Sequence, residues 1–187
     1  MSATQILVTG GMGFIGSHTV VELIRAGYEV IIADNLSNSN IKIVDQIEKI
    51  IGQRPVFHQF DFCDERATLN FVEKHADITG VIHFAAFKAV GESVENPLRY
   101  YRNNLYSLIN LLEAFTARPI NLVFSSSCTV YGQPDKLPVT EVEPVKRAES
   151  PYGNTKQIAE EILSEVAKTN YNLNSVALRY FNPVGAH

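Results

Sequence analysis

The 187-residue chain has no tryptophan and only two cysteines, Cys63 and Cys128. Two thiols without knuckle spacing form neither a disulfide framework nor a zinc site, so a reducing compartment, the cytoplasm, is the expected setting. The five histidines, His18, His58, His75, His83 and His187, show no paired ligand spacing and read as structural rather than metal-binding. Long apolar runs are missing as well: none approaches the roughly 20 residues that cross a bilayer. Met1 to Gln5 lack a basic start and an apolar stretch before a cleavage site, so neither secretion nor membrane insertion is expected. With a formal net charge of −4 and no cluster of Lys and Arg, the chain offers no face for phosphate backbones, and a small-molecule partner is expected in place of nucleic acid.

What is present describes an ordinary folded chain. Hydrophobic residues make up 45% and charged residues 19%, with 11 Gly and 8 Pro spread along the sequence. The length suits one well-buried core rather than two. Short β-branched runs alternate with stretches of helical periodicity, which predicts an α/β fold with a doubly wound parallel sheet of the Rossmann kind. Strands are predicted over Gln5 to Thr9, Glu29 to Ala33, Val56 to Phe60, Val81 to Phe84, Leu122 to Ser126 and Ser175 to Leu178. Helices are predicted between them, over Phe14 to Ala26, Ile41 to Ile51, Glu65 to His75, Pro97 to Phe115 and Pro151 to Thr169. Gln133 to Ser150, with three prolines and weak periodicity, reads as one long surface loop, of the sort that often lies over a site. The chain reaches His187 just after Asn182-Pro183-Val184-Gly185, with no helix to cover the last predicted strand, and so reads as truncated.

The first strand runs directly into Gly10-Gly11-Met12-Gly13-Phe14-Ile15-Gly16, which opens the first helix. Missing side chains would let backbone N–H groups reach a pyrophosphate, assisted by the helix dipole. The spacing, Gly10-x-x-Gly13-x-x-Gly16, is not the commoner G-x-G-x-x-G, and a glycine cluster alone also serves tight turns. Its place between strand and helix, together with Asp34 at the end of the second strand, makes the dinucleotide reading the stronger one. The Asp34 carboxylate can accept from ribose hydroxyls and would repel the extra phosphate of NADP, and Asn35 offers no cation in compensation, so NAD is the expected cofactor. Asp34 equally suits a turn, since Asp34-Asn35-Leu36-Ser37-Asn38-Ser39 is rich in turn formers, and both readings can hold. Asp61 after the third strand and Ala85-Ala86 after the fourth are placed to meet the same cofactor.

At the other end of the sheet, Ser125-Ser126-Ser127-Cys128-Thr129 closes the fifth strand and Ser150-Pro151-Tyr152-Gly153-Asn154-Thr155-Lys156 opens the next helix. Ser150 is a suitable N-cap, Pro151 fits the first turn, and an interval of four puts Tyr152 and Lys156 on one face. A phenol titrates near 10 and is a poor base at neutral pH unless a nearby cation favours phenolate, and Lys156 supplies such a charge. The plain alternative is a surface Tyr and Lys on an amphipathic helix whose buried stripe is Ile158, Ala159, Ile162, Leu163 and Val166.

Joined to the glycine turn and the strand-end serine, Tyr-x-x-x-Lys resembles the active site of the short-chain dehydrogenase/reductase superfamily. Longer segments are similar to its extended, nucleotide-sugar branch, and within that to the UDP-sugar 4-epimerases. They are residues 8–18 and 34–39, His83-Phe84-Ala85-Ala86-Phe87-Lys88-Ala89-Val90-Gly91-Glu92-Ser93, Asn103-Asn104, residues 124–132, Ser150-Pro151-Tyr152-Gly153, and Arg179-Tyr180-Phe181-Asn182-Pro183-Val184-Gly185-Ala186-His187. The resemblance implies that Ser127, Tyr152 and Lys156 are catalytic. It further implies that Gly10, Gly13, Phe14, Ile15, Gly16, Asp34, Asn35, Leu36, Ser37, Asn38, Ser39, Asp61, Phe62, Phe84, Ala85, Ala86, Phe87, Lys88, Asn103 and Tyr180 contact NAD along with that triad. Lys88, Phe181 and Asn182, with Ser127 and Tyr152, are implied on the UDP-sugar side. The implied reaction interconverts UDP-galactose and UDP-glucose through a bound 4-keto sugar. Residues 1–187 would then be the NAD-binding, catalytic domain without the carboxyl-terminal domain that grips the uridine diphosphate, and so of little activity alone.

Three departures from the branch stand out: Cys128 where Ala is frequent, Ala86-Phe87 where Gly-Leu is usual, and Asn154-Thr155 where Lys-Ser is common. None falls on the triad, and Cys128, with no activating base in its sequence neighbourhood, reads as a small buried residue. The nearest rival, a nucleotide-sugar 4,6-dehydratase, needs an Asp-Glu pair just after the strand-five serine to expel water, and Cys128-Thr129 stand there. A non-catalytic NAD-binding module is the rival from another class. A homodimer in the full-length parent follows from the family alone, through the helices at Pro97 to Phe115 and Pro151 to Thr169, whose apolar positions equally suit packing on the sheet.

Overall fold

Neighbouring residues Leu7 and Val8 are both completely buried, and so are Ile31 and Ile32 nearly so. Strands that hide consecutive side chains need cover on both faces, which is the condition of a parallel sheet. The computed structural model describes residues 4–169 and 172–185 and meets it. Strands β1 (Gln5–Thr9), β2 (Glu29–Asp34), β3 (Val56–Gln59), β4 (Ile78–His83), β5 (Ile120–Ser127) and β6 (Leu173–Tyr180) form one sheet in the order β3-β2-β1-β4-β5-β6, with every pair parallel. Helices α1 (Phe14–Arg25) and α2 (Lys42–Ile51) cover one face, where Val20, Val21, Val44 and Ile47 pack on Val8 and Ile32. Helices α3 (Glu65–Lys74), α5 (Pro97–Ala114) and α6 (Pro151–Ala167) cover the other, where Phe71, Leu108, Leu111, Ala159 and Leu163 pack on Leu7, Ile31, Leu122 and Phe124. A short helix, α4 (Val90–Glu95), precedes α5.

The chain builds outward from β1 to β3 and then returns to place β4 on the other flank of β1. The strand order reverses there, so the crossover loops diverge and leave a crevice beyond the carboxyl ends of β1 and β4. The doubly wound sheet predicted from the sequence is the one observed.

Differences lie at the element ends. β4 begins at Ile78 because the polar Thr79 and small Gly80 conceal its first half, and β6 extends to Leu173 and Tyr180 because an edge strand tolerates the exposed Asn174 and Ser175. The six-residue α4 and a 3-10 turn over Cys128–Tyr131 were not predicted, both being too short to show a period. Residues 133–150 carry neither helix nor strand. In α5 and α6 the apolar positions serve the sheet, whereas Leu98 and Tyr106 stay exposed. In the predicted stripe of α6, Ala159 and Leu163 are fully buried and Ile158, Ile162 and Val166 partly so. Among the described residues no helix is long and apolar enough to cross a membrane. His187 and Ala186 lie outside the described residues, as does the start of the Met1 to Gln5 segment.

Candidate active site

The turn between β1 and α1 is shaped by close backbone approach. Gly10 has φ +65, and a Cβ there would lie 2.6 Å from the Ala85 nitrogen; a Cβ on Gly16 would collide with the Gly10 carbonyl oxygen. The loop after β4 and the first turn of α1 therefore lie directly on the glycine turn, which Gly13 N closes by donating to Gly10 O at 3.0 Å. Gly13 is the N-cap of α1 and has no side chain to satisfy the first-turn N–H groups, so these and the helix dipole are available to an anion. Under the turn, Thr9 Oγ1 and His83 Nδ1 are 2.8 Å apart, and Ala85 N donates to the same Thr9 oxygen at 3.3 Å. Burial pushes the His83 imidazole down to about 3, so it is neutral, and its Nε2 finds no partner.

Asp34 ends β2 at the rim of the crevice. Its Oδ1 accepts from Leu36 N at 2.8 Å and Ser39 Oγ at 2.9 Å, while Oδ2 accepts from Met12 N at 3.1 Å. It thus ties the turn after β2 to the glycine turn and also lines the cleft. A carboxylate has about four acceptor positions, which leaves room for a hydroxyl donor. Asn35 Nδ2 donates to Asp61 Oδ2 at 3.0 Å, joining the turns after β2 and β3.

The crevice is a cleft of about 480 Å³, within the size range of small-molecule sites. Of the residues singled out from the sequence, Gly10, Gly13, Phe14, Ile15, Gly16, Asp34, Asn35, Ser37, Asn38, Ser39, Asp61 and Phe62 line one end and side of it. Phe84 through Lys88, Asn103, Ser127, Tyr152, Lys156, Tyr180, Phe181 and Asn182 line the remainder. Leu36 does not: its φ of 59 turns the side chain away, into the apolar cluster under α1 and α2. Cys128 is corrected as well, being half-exposed and part of the cleft wall rather than buried. Phe60, Val90, Ser107, Ser125, Ser126, Thr129 and Pro183 line the cleft without having been picked out. Among the described residues no group of three His, Cys, Asp or Glu is placed to hold a metal.

The chemical groups meet where β5 and α6 end and begin. Ser127 closes β5, and its Oγ accepts from Thr129 N at 3.2 Å, turning the chain into the 3-10 turn. Ser150 caps α6 by accepting from Gly153 N at 3.1 Å, with Pro151 in the first turn as predicted. Lys156 is buried, donates from Nζ to Ser125 O at 2.7 Å, and lies 4.7 Å from the Phe124 ring centre and 5.9 Å from that of Tyr152. Burial pushes the ammonium down to about 8, against an opposing pull from Glu160. Burial also raises the Tyr152 phenol, and the Ser127 hydroxyl draws it back. Burial is the larger influence on the phenol, and Ser127 the group that offsets it.

In the sequence Asn104 stands out only as the neighbour of Asn103, yet it organises the cleft rim. Its Oδ1 accepts from Phe87 N at 2.8 Å, and its Nδ2 donates to Phe87 O at 3.0 Å and to Thr155 Oγ1 at 3.1 Å. The signal in the sequence is a pair of amides inside an otherwise amphipathic helix.

The family model described as "NAD dependent epimerase/dehydratase family" matches residues 6–187. The chain is 50% identical over 187 residues to a UDP-glucose 4-epimerase of Schizosaccharomyces pombe, an alignment covering 97% of this chain and 52% of that protein. Among solved structures it is similar to UDP-glucose 4-epimerase from Bifidobacterium longum in complex with NAD+ and UDP, at 45% identity and TM-score 0.94, covering 98% of this chain and 55% of that one. It is also similar to the enzyme of Stenotrophomonas maltophila with bound NAD and formylated UDP-arabinopyranose, at 46% identity and TM-score 0.92, covering 98% and 55%. The chain spans about half the length of the curated relatives it matches.

Proposed function

The chain belongs to the NAD dependent epimerase/dehydratase family, and on that premise we propose that the whole protein is an NAD-dependent UDP-glucose 4-epimerase whose cofactor-binding and catalytic domain is residues 1–187. The observation that carries the proposal is the meeting of Ser127, Tyr152 and Lys156 in one cleft with the glycine turn and Asp34. NAD fits what lines that cleft: a turn where added Cβ atoms would strike backbone, an uncapped helix N-terminus, and a rim carboxylate that favours ribose hydroxyls over a 2′-phosphate. The neighbours crystallised with NAD support the same choice.

When bound, NAD would supply reversible hydride acceptance at C4 of the sugar, without net redox change. The work of the chain is to move the matching proton and hold the parts in place. Tyr152 Oη is the group assigned to take the proton of the 4-hydroxyl and give it back. Ser127 Oγ, in the same cleft as that phenol, is assigned to hold the reacting oxygen by a hydrogen bond. Because burial makes phenolate costly, the Lys156 ammonium beneath the Tyr152 ring is needed to offset it, and the same ammonium is assigned to the nicotinamide ribose. Lys88, Phe181 and Asn182, which also line the cleft, are assigned to the UDP-sugar.

Cys128 and Thr129 follow Ser127 in place of an acid pair, so these two positions do not supply the positioned carboxylic acid that water loss from the sugar demands. This favours epimerisation over 4,6-dehydration. The relatives carry about as much chain again, and we place the rest of the sugar-nucleotide site there, so that residues 1–187 alone bind NAD but turn over little UDP-sugar. A homodimer through the outer faces of α5 and α6, where Leu98 and Tyr106 are exposed, and a reducing compartment suited to two free thiols complete the reading.

The test is conversion of UDP-galactose to UDP-glucose by the whole protein, and by Tyr152→Phe. Turnover that vanishes in the variant while NAD stays bound is expected. Loss of water would select the dehydratase, and NAD binding with neither reaction would select a non-catalytic module.

A further inference from the structure

Behind the cleft, Glu160 lies one helical turn beyond Lys156 on α6. Its carboxylate receives Arg179 of β6 in a two-pronged pair, Oε1 accepting from Nε at 3.0 Å and Oε2 from a terminal nitrogen at 2.7 Å. Oε1 also accepts from Ser126 Oγ of β5. Ser126 stands between Ser125, whose carbonyl holds Lys156, and Ser127. The clamp therefore joins the three elements that carry Ser127, the Tyr152–Lys156 pair and the Tyr180–Asn182 rim. The two charged side chains are only 16% and 23% exposed, and the guanidinium rests 4.8 Å from the Tyr131 ring centre. A pair this buried gives up hydration, so stability alone is a weak reason for it, and the reaction described above does not use it.

We propose that Glu160 is a positioning residue: locked by Arg179 and Ser126, its carboxylate keeps the Lys156 ammonium charged and aimed past the Ser125 carbonyl at Tyr152. The proposal rests on the role assigned to Lys156 above. Lys156 is faced by Tyr152 and Glu160 from its own helix, by His83 from β4, and by Phe124 and the Ser125 carbonyl from β5; Arg179 of β6, stacked by the Tyr131 ring, pairs with Glu160. Glu160 supplies the anion in that set. Since burial brings Lys156 down to about 8, its charge near neutrality depends on what stands next to it.

The two halves of the clamp make opposite predictions. Glu160→Gln leaves an unopposed guanidinium and should shift the Lys156 titration down by about 0.5–1 pH unit; Arg179→Met leaves an unopposed carboxylate and should shift it up by a similar amount. The double variant should titrate close to the parent. The readout is the lysine Cε resonance in the whole protein labelled with 13C-lysine, Lys156 being identified by its loss in Lys156→Arg. This needs no turnover, so a protein inactive on UDP-galactose would overturn the proposed function and leave this test standing. Given activity, the pH profile of kcat should move with the same two signs while KM stays within twofold. If Glu160→Gln does not fold, Arg179→Met and the double variant still decide the sign. Shifts of both single variants in one direction, or of neither, would overturn the inference.

Discussion

Replacing Gly10 by alanine isolates the step from backbone geometry to cofactor binding. At φ +65 an L-residue pays roughly 1–2 kcal/mol for the left-handed conformation. The added Cβ would also lie 2.6 Å from Ala85 N and 2.8 Å from the carbonyl carbon of Phe84. Both are main-chain atoms, so no rotamer change relieves the contact, and overpacking of this sort costs about 1–3 kcal/mol. The sum, about 2–5 kcal/mol, is a large share of the 5–15 kcal/mol typical of a folded domain. It should appear in urea unfolding followed by circular dichroism as a lower midpoint with an unchanged slope. Because the strain is relieved only by moving residues 84–85 away from the glycine turn, calorimetric titration should also show NAD affinity at least tenfold lower. Gly91→Ala is the internal control: no atom lies within 4 Å of its added Cβ, and a helical site should gain about 0.4–1 kcal/mol. If Gly10→Ala loses less than about 0.5 kcal/mol against a full αL penalty, or unfolds like Gly91→Ala, the argument from close approach is wrong.

Substitutions at three further positions probe other parts of the fold and site. Asp34→Ala removes the acceptor of Met12 N, Leu36 N and Ser39 Oγ; NAD affinity should fall by about tenfold or more, near 1.4 kcal/mol, and discrimination against NADP should narrow, both measurable by calorimetry. His83 titrates near 3 when folded against 6.5 for the free side chain, so as pH falls from 6.5 toward 3 the unfolded chain binds a proton that the native state refuses. Stability should therefore drop by about 1.4 kcal/mol per pH unit through that window. His83→Asn should remove this slope, and parallel pH–stability curves for the two proteins would contradict it. Ser150→Ala deletes the cap on Gly153 N and should cost about 1 kcal/mol in urea unfolding, while Ser150→Gly should cost only a few tenths.

Where side-chain chemistry follows from local spacing, the sequence was readable. The glycine turn, Asp34, the Ser150 cap and the Tyr152–Lys156 interval each lie within one turn or one helix, and their placement agrees with what those spacings imply. The family also followed from collinear motifs, and the family model spans almost the same residues. What escaped depends on partners distant in the chain. Asn104 is an unremarkable helix residue until Phe87 and Thr155 are found against it. Glu160 resembles any surface acid on an amphipathic helix until Arg179 folds over it from β6. Leu36 was grouped with its turn, but its positive φ points it into the core, a matter of one dihedral that composition does not carry. Lys156 is legible in the sequence as a cation one turn from Tyr152, whereas burial of the phenol, a property of the whole fold, is not, and it has the larger effect.

The position of β1 between β2 and β4 has a consequence for how the molecule is made. The first three strands can pair as soon as they leave the ribosome, but β1 then presents a bare edge until β4 arrives, and an unpaired edge invites wrong neighbours. A nascent chain therefore holds the glycine turn and Asp34 well before Ser127, Tyr152 and Lys156 have been made, and the turn reaches its full packing only when Phe84 and Ala85 close on Gly10.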